Sequence, residues 1–207
     1  MNDELHHRLT EAAIVPILMA GDGDADAIDM ADALVGAGAR MIEVLFRRPE
    51  APEALAAIRR RHPALLLAAG TILDGNGASK AVAAGADVMI SPGFSPALHA
   101  AAEEAGLPLI PGVNTASEVQ HARESGYLVQ KFYPAWDHGH QRLPEFHAIY
   151  QDVAFLVTGG LVSASVEEFA RHRNVAALGG TWMVKELADA AVLAADVARF
   201  RAAREKA

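Results

Sequence analysis

One short phrase recurs along the chain: a glycine, one or two connecting residues, then an apolar run of β type. It occurs as Gly38-Ala39-Arg40-Met41-Ile42, Gly85-Ala86-Asp87-Val88-Met89-Ile90, Gly106-Leu107-Pro108-Leu109-Ile110 and Gly126-Tyr127-Leu128-Val129. Each glycine follows a stretch of helical character, the place for a left-handed C-cap that feeds directly into a strand. The last three are spaced by about one short βα unit, and Gly38 to Gly85 by about two. The missing member falls where His62-Pro63 stops a helix and Leu65-Leu66-Leu67-Ala68-Ala69 begins a strand. Continuing the count predicts strands near Ile14, Ile42, Leu67, Met89, Ile110, Val129, Leu156 and Ala177. Each is followed by a helix except for a loop-rich stretch after the sixth. Eight such units in 207 residues predict an α/β chain folded as a compact (β/α)8 TIM barrel. A doubly wound sheet with the same alternation is the alternative.

The barrel begins after a short polar N-terminal helix near Asn2 to Glu11. Ala13 to Met19 is the first strand, Gly21-Asp22-Gly23 its turn, and Ala25 to Ala37 a helix with apolar spacing through Ile28, Ala31, Leu34 and Val35. No Pro/Ser-rich linker or charge block interrupts the chain, so residues 1–207 read as one domain. The chain has no cysteine, which excludes disulfides, thiolate nucleophiles and Cys-based metal sites. No uncharged apolar run approaches the ~18 residues needed to cross a bilayer, and the acidic N-terminus has no apolar segment behind it, so a cytoplasmic protein with no membrane partner is expected. A net charge of −8 without a basic stripe argues against nucleic acid. An anionic ligand must therefore be held by local donors.

Within this frame Lys131 needs a reason. It lies in Leu128-Val129-Gln130-Lys131-Phe132-Tyr133-Pro134, an apolar strand, whereas the other three lysines, Lys80, Lys185 and Lys206, sit in polar surroundings. A lysine inside a buried strand is costly unless it finds a partner or loses its charge. Strand alternation groups Val129, Lys131 and Tyr133 on one face, and Met41, Glu43, Leu45 and Arg47 on one face of the second strand. Barrel layers are filled from alternate strands, so Glu43 and Lys131 can meet inside. Such a meeting is either a reactive pair or a structural ion pair. Arg47 falls at the C-terminal rim, paired with a ligand or with Glu50 or Glu53. Arg48 points the other way, toward solvent or an interface.

Several strands end in small residues: Gly70-Thr71, Ser91-Pro92-Gly93 and Pro111-Gly112. Gly159-Gly160 and Gly179-Gly180-Thr181 follow the seventh and eighth strands, where barrels commonly bind phosphate through backbone N–H groups. Asp137-His138-Gly139-His140 has metal-like residue types but no third anchored histidine, and no metal site is expected there.

These landmarks in this order resemble the class I aldolases that cleave 2-keto-3-deoxy-6-phosphogluconate (KDPG) and, in some members, 4-hydroxy-2-oxoglutarate (KHG). The likeness rests on Ile42-Glu43-Val44 with Arg47, Ala69-Gly70-Thr71, Ile90-Ser91-Pro92-Gly93, Ile110-Pro111-Gly112, Lys131-Phe132-Tyr133-Pro134, Thr158-Gly159-Gly160 and Gly179-Gly180-Thr181-Trp182. The resemblance implies a barrel that assembles as a homotrimer, acts on a small 2-keto acid and uses no cofactor or metal. It implies Lys131 as the Schiff-base lysine and Glu43 as the general acid/base. Arg47, Thr71, Pro92 and Phe132 are then substrate-binding, and Gly159, Gly160, Gly180 and Thr181 phosphate-binding. The chain departs from the family pattern at Leu45, at Arg48 and over Trp136-Asp137-His138-Gly139-His140, next to the far end of the substrate.

The chemistry suits these groups. Cleaving a 2-keto-4-hydroxy acid leaves negative charge beside the ketone, which a protonated imine absorbs as an enamine. Imine formation needs a neutral amine, and an ordinary lysine, with a pKa of ~10.4, is almost wholly protonated at neutral pH. An apolar interior disfavours the charged form. A sugar-phosphate isomerase or epimerase would use the same glycine loops without needing the lysine. A metal-dependent aldolase would place its chemistry on the Asp137 to His140 loop. A noncatalytic binding protein would leave Glu43 and Lys131 as a structural pair.

Overall fold

The computed structural model of the chain describes residues 2–20, 24–136 and 139–206. Its strands are β1 (Ile14–Met19), β2 (Met41–Leu45), β3 (Leu66–Gly70), β4 (Val88–Ile90), β5 (Leu109–Ile110), β6 (Gly112–Val113), β7 (Val129–Phe132), β8 (Ala154–Thr158) and β9 (Val175–Gly180). They pair in the order β5-β4-β3-β2-β1-β9-β8-β7-β6, and β1 joins both β2 and β9 in parallel. β5 and β6 are one stave interrupted at Pro111, which has no N–H to give to a ladder. The Pro111 carbonyl accepts the Lys131 N–H at 2.8 Å, so the sheet closes through the proline. The result is an eight-stave parallel barrel.

The connecting helices are α1 (Asn2–Ala12), α2 (Asp24–Gly36), α3 (Ala51–Arg61), α4 (Gly75–Ala84), α5 (Pro96–Ala105), α6 (Ala116–Glu124), α7 (Gly139–Ile149), α8 (Val166–Ala170) and α9 (Val192–Arg204). The recurrent glycines have φ of 97° at Gly38, 82° at Gly85, 66° at Gly106 and 90° at Gly126, the left-handed caps expected of them. The stretch after the sixth stave differs from expectation, because α7 occupies it. Its Leu143 and Phe146 are buried, and Phe146 meets Phe132 and Phe155. Gly139 and the internal Pro144 conceal the helical period in the sequence. The turn Gly21-Asp22-Gly23 and the residues Asp137 and His138 lie outside the described residues.

Two apolar layers result. Ile42, Val44, Leu67, Phe132, Phe155 and Val157 pack outward against the helices. Val15, Met41, Leu66, Val88, Val129 and Leu156 fill the barrel, where Leu5, Leu9 and Ala12 of α1 join them. α1 thus plugs the end at which the strands begin, and its fully buried Leu9 contributes roughly 1.5–3 kcal/mol. The opposite end stays open for chemistry. Among the described residues no helix is long and apolar enough to cross a membrane.

The start of α6 is held by a capping box. Glu118 Oε2 accepts the backbone N–H groups of Asn114 and Thr115, each at 2.8 Å. Partial burial works against the charge, but these two donors outweigh it and hold the carboxyl below its ordinary value of 4.5. A depressed carboxylate stabilises the fold above its unfolded pKa and loses that contribution as pH falls through the folded value. Glu118→Ala should therefore melt roughly 2–4 °C below wild type at pH 7, for ~1 kcal/mol of capping. In thermal melts the gap should close below pH 4.5, since protonation removes from wild type what the substitution has already removed. A gap independent of pH would contradict this role.

Candidate active site

Above the apolar floor, one residue from each stave forms an inward-facing ring: Ile17, Glu43, Gly70, Pro92, Gly112, Lys131, Thr158 and Gly179. The register sets Ile17 beside Glu43, Gly112 beside Lys131 and Thr158 beside Gly179. The glycines show the direction. A Cβ on Gly70 would lie 2.1 Å from Glu43 Oε1, one on Gly112 would lie 2.2 Å from the carbonyl carbon of Pro92, and one on Gly179 would lie 2.8 Å from Thr158 Cγ2. Three ring members thus lack side chains, and the neighbouring groups occupy the room they leave.

Lys131 Nζ donates to Glu43 Oε1 at 3.2 Å, with the two side chains 8% and 0% exposed. The strands bring them together across 88 residues of sequence. The Lys131 ammonium also sits 5.6 Å from the centre of the Tyr133 ring. Glu43 Oε2 and Thr158 Oγ1 are buried and have no hydrogen-bond partner in the protein. A buried polar atom of this kind is costly unless a group from outside the chain meets it. In the sequence Thr158 stands only as part of the landmark Thr158-Gly159-Gly160, without a role of its own. Its signal was a hydroxyl at inward parity, ending the apolar run Ala154-Phe155-Leu156-Val157.

Arg47 and Thr71 stand just beyond the ends of β2 and β3, and Arg47 Nε donates to Thr71 Oγ1 at 3.1 Å. Thr71 is held at φ 62°, a costly conformation for a β-branched residue and one found chiefly at functional sites. Arg47 is exposed, so its guanidinium is presented at the open rim. Pro92 packs its backbone on Gly112, and Ser91 Oγ donates to the Gly93 carbonyl at 2.6 Å, fixing the turn that carries it.

Phe132 corrects the expected set. It is fully buried in the outer layer against Phe146 and Phe155, on the face of β7 opposite Lys131, and cannot touch a ligand in the barrel mouth. Tyr133, in step with Lys131, is the aromatic that faces the site.

The two glycine loops flank this ring at β8 and β9. Gly159 and Gly160 have φ of 97° and 74°, and the Gly159 carbonyl accepts the Trp136 N–H at 3.1 Å. Trp136 Cβ would be only 2.6 Å from a Cβ on Gly160, so the exposed Trp136 stands directly beside the loop. Gly180 lies under the Trp182 ring, 2.0 Å from where its own Cβ would be. Thr181 is exposed at the same end. Among the described residues no group of three or more His, Asp or Glu side chains could hold a metal ion.

A buried lysine ammonium in contact with a carboxylate can give up a proton to it and, as the free amine, attack a carbonyl carbon. A guanidinium at the rim can take a carboxylate on two oxygens. Residues 5–201 match a family model described as KDPG and KHG aldolase. A 2-dehydro-3-deoxy-phosphogluconate aldolase of Treponema pallidum is 42% identical over 160 residues, covering 77% of this chain and 76% of the relative. Among solved structures, the KDPG aldolase of Zymomonas mobilis ZM4 with 3-phosphoglycerate has a TM-score of 0.89 at 29% identity, covering 97% of each chain. The KDPG aldolase of Legionella pneumophila, with pyruvate captured as a covalent carbinolamine, has a TM-score of 0.84 at 32% identity, covering 96% of this chain and 97% of that one.

Proposed function

This chain belongs to the KDPG and KHG aldolase family, and from that premise we propose that it cleaves 2-keto-3-deoxy-6-phosphogluconate to pyruvate and glyceraldehyde 3-phosphate through a Schiff base on Lys131. The enzyme is an aldolase, a carbon–carbon lyase. The observation that carries the mechanism is the contact of 3.2 Å between Lys131 Nζ and Glu43 Oε1 inside a ring whose other members, apart from the Thr158 hydroxyl, are apolar or without side chains.

Lys131 passes a proton to Glu43, its free amine adds to the C2 carbonyl to give a carbinolamine, and Glu43 returns that proton to the carbinolamine hydroxyl, which leaves as water to form a protonated imine. Glu43 takes the proton of the C4 hydroxyl, the C3–C4 bond breaks, and its electron pair passes into the imine as an enamine while the aldehyde leaves. The same proton then returns to C3, and water hydrolyses the imine to release pyruvate and restore the amine. Glu43 Oε2, without a protein partner, is the oxygen free to serve the substrate. Arg47 and Thr71 hold the carboxylate, Pro92 lies by the carbonyl, and Gly159, Gly160, Gly180 and Thr181 surround the phosphate. The captured pyruvate of the Legionella structure and the bound 3-phosphoglycerate of the Zymomonas structure support these two halves. A homotrimer in the cytoplasm is part of the same proposal. The exposed Leu73, beside Phe46, Pro49 and Pro52 at the rim, offers apolar surface for such an assembly.

Incubation with pyruvate and borohydride should add one reduced pyruvyl group per chain, on Lys131, as read by intact mass and peptide mapping. Absence of the adduct, or its location on Lys80 or Lys185, would overturn the Schiff-base mechanism.

A further inference from the structure

We infer that Asp196 is a positioning residue for the phosphate end of the site, holding the loops after β8 and β9 at the spacing that lets both reach one phosphate. This deepens, and rests on, the phosphate reading of the glycine loops.

Asp196 lies on α9 and is 0% exposed. Its Oδ1 accepts from Ser163 Oγ at 2.8 Å and its Oδ2 from Trp182 Nε1 at 2.8 Å, while Arg199 pairs with it from the same helix. A carboxylate that served only α9 would be satisfied by Arg199, one turn away. The two neutral donors come instead from two different loops. Ser163 is three residues past Gly160, and Arg199 also donates to its hydroxyl, at 2.7 Å. Trp182 is two residues past Gly180, and its rigid ring lies against that glycine closely enough to exclude any side chain there. The carboxylate therefore sets where the indole sits, and the indole sets where the Gly180 backbone sits. Its other oxygen fixes the segment that follows Gly159-Gly160. Charge-assisted hydrogen bonds give such a tether both strength and direction.

Asp196→Asn keeps the shape but can offer an oxygen to only one of the loops, presenting an NH2 to the other. With 2-keto-3-deoxy-6-phosphogluconate, KM should rise about tenfold while kcat stays within about twofold, the pattern of lost binding rather than lost chemistry. kcat/KM for the unphosphorylated analogue, and labelling by pyruvate and borohydride, should be unchanged. Equal losses on both substrates would mean a merely structural role, and no loss on either would mean no role; both overturn the inference. Trp182→Phe, which keeps a ring over Gly180 but removes the N–H, carries the test if Asp196→Asn does not fold. It should raise KM about threefold or more for the phosphorylated substrate alone, and an unchanged preference would overturn the inference. The phosphate reading is checked separately on wild type, where a preference below about tenfold for the phosphorylated substrate would remove that reading and this tether's purpose together.

Discussion

Lys131→Met should abolish carbon–carbon cleavage, lowering kcat/KM by on the order of 10⁴-fold or more, because covalent catalysis has no substitute once its nucleophile is gone. No other lysine is placed to replace it: Lys80, Lys185 and Lys206 are all exposed. The substitution should also unsettle the fold. Glu43 is fully buried, and removing its cation leaves a carboxylate unpaired, a loss of ~3–5 kcal/mol in buried pairs of this kind. Lys131→Met combined with Glu43→Gln should recover much of that stability and none of the activity. This separates the two readings open at the sequence level, since a purely structural pair would let the stable double variant keep turning over. The measurements are thermal unfolding and aldehyde release. Turnover by the double variant near the wild-type rate would contradict the assignment.

Gly70→Ala should cost about 10²–10⁴-fold in kcat, the range for losing a general acid/base, without touching a charged group. The added Cβ would stand 2.1 Å from Glu43 Oε1, 2.7 Å from its Cγ and 2.8 Å from its Cδ. Rotating the carboxylate end cannot relieve contacts that include Cγ, so the whole side chain must leave Lys131. Because the damage passes through Glu43, the two substitutions should not add. Gly70→Ala in a Glu43→Gln background should lower kcat little further, whereas independent sites would multiply their effects. Steady-state rates of the two single variants and the double variant decide this. A Gly70→Ala enzyme with near wild-type kcat would mean that Glu43 has no need of its present place.

Legibility in the sequence followed how locally each feature is determined. The barrel could be counted because a left-handed helix cap strongly favours one residue, and glycine recurs ahead of four of the apolar runs from Gly38 to Gly126, with His62-Pro63 marking the fifth. Strand parity together with the layering of a barrel brings Glu43 and Lys131 within reach of one another, and the same parity sets Phe132 on the opposite side; the resemblance, applied by position, overrides it there. α7 was missed because Gly139 and Pro144 break its local pattern, while tertiary packing of Leu143 and Phe146 supplies what propensity does not. Thr158 was within reach of the same alternation rule. The Asp196 tether was not, since it depends on where an indole ring lies over Gly180, which no spacing records.

The side-chain-free members of the ring give this site a one-sided mutational landscape. At Gly70, Gly112 and Gly179 there is nothing to trim, so every substitution adds atoms to a region whose neighbours lie within 2.8 Å of any new Cβ. Selection or laboratory evolution toward a longer or bulkier substrate cannot enlarge the reaction chamber there. It must act on Trp136 and Trp182, which stand over the two distal loops and still have volume to lose. Variation in aldehyde preference among proteins built on this ring should therefore accumulate at the rim, with the chamber beneath it held almost without change.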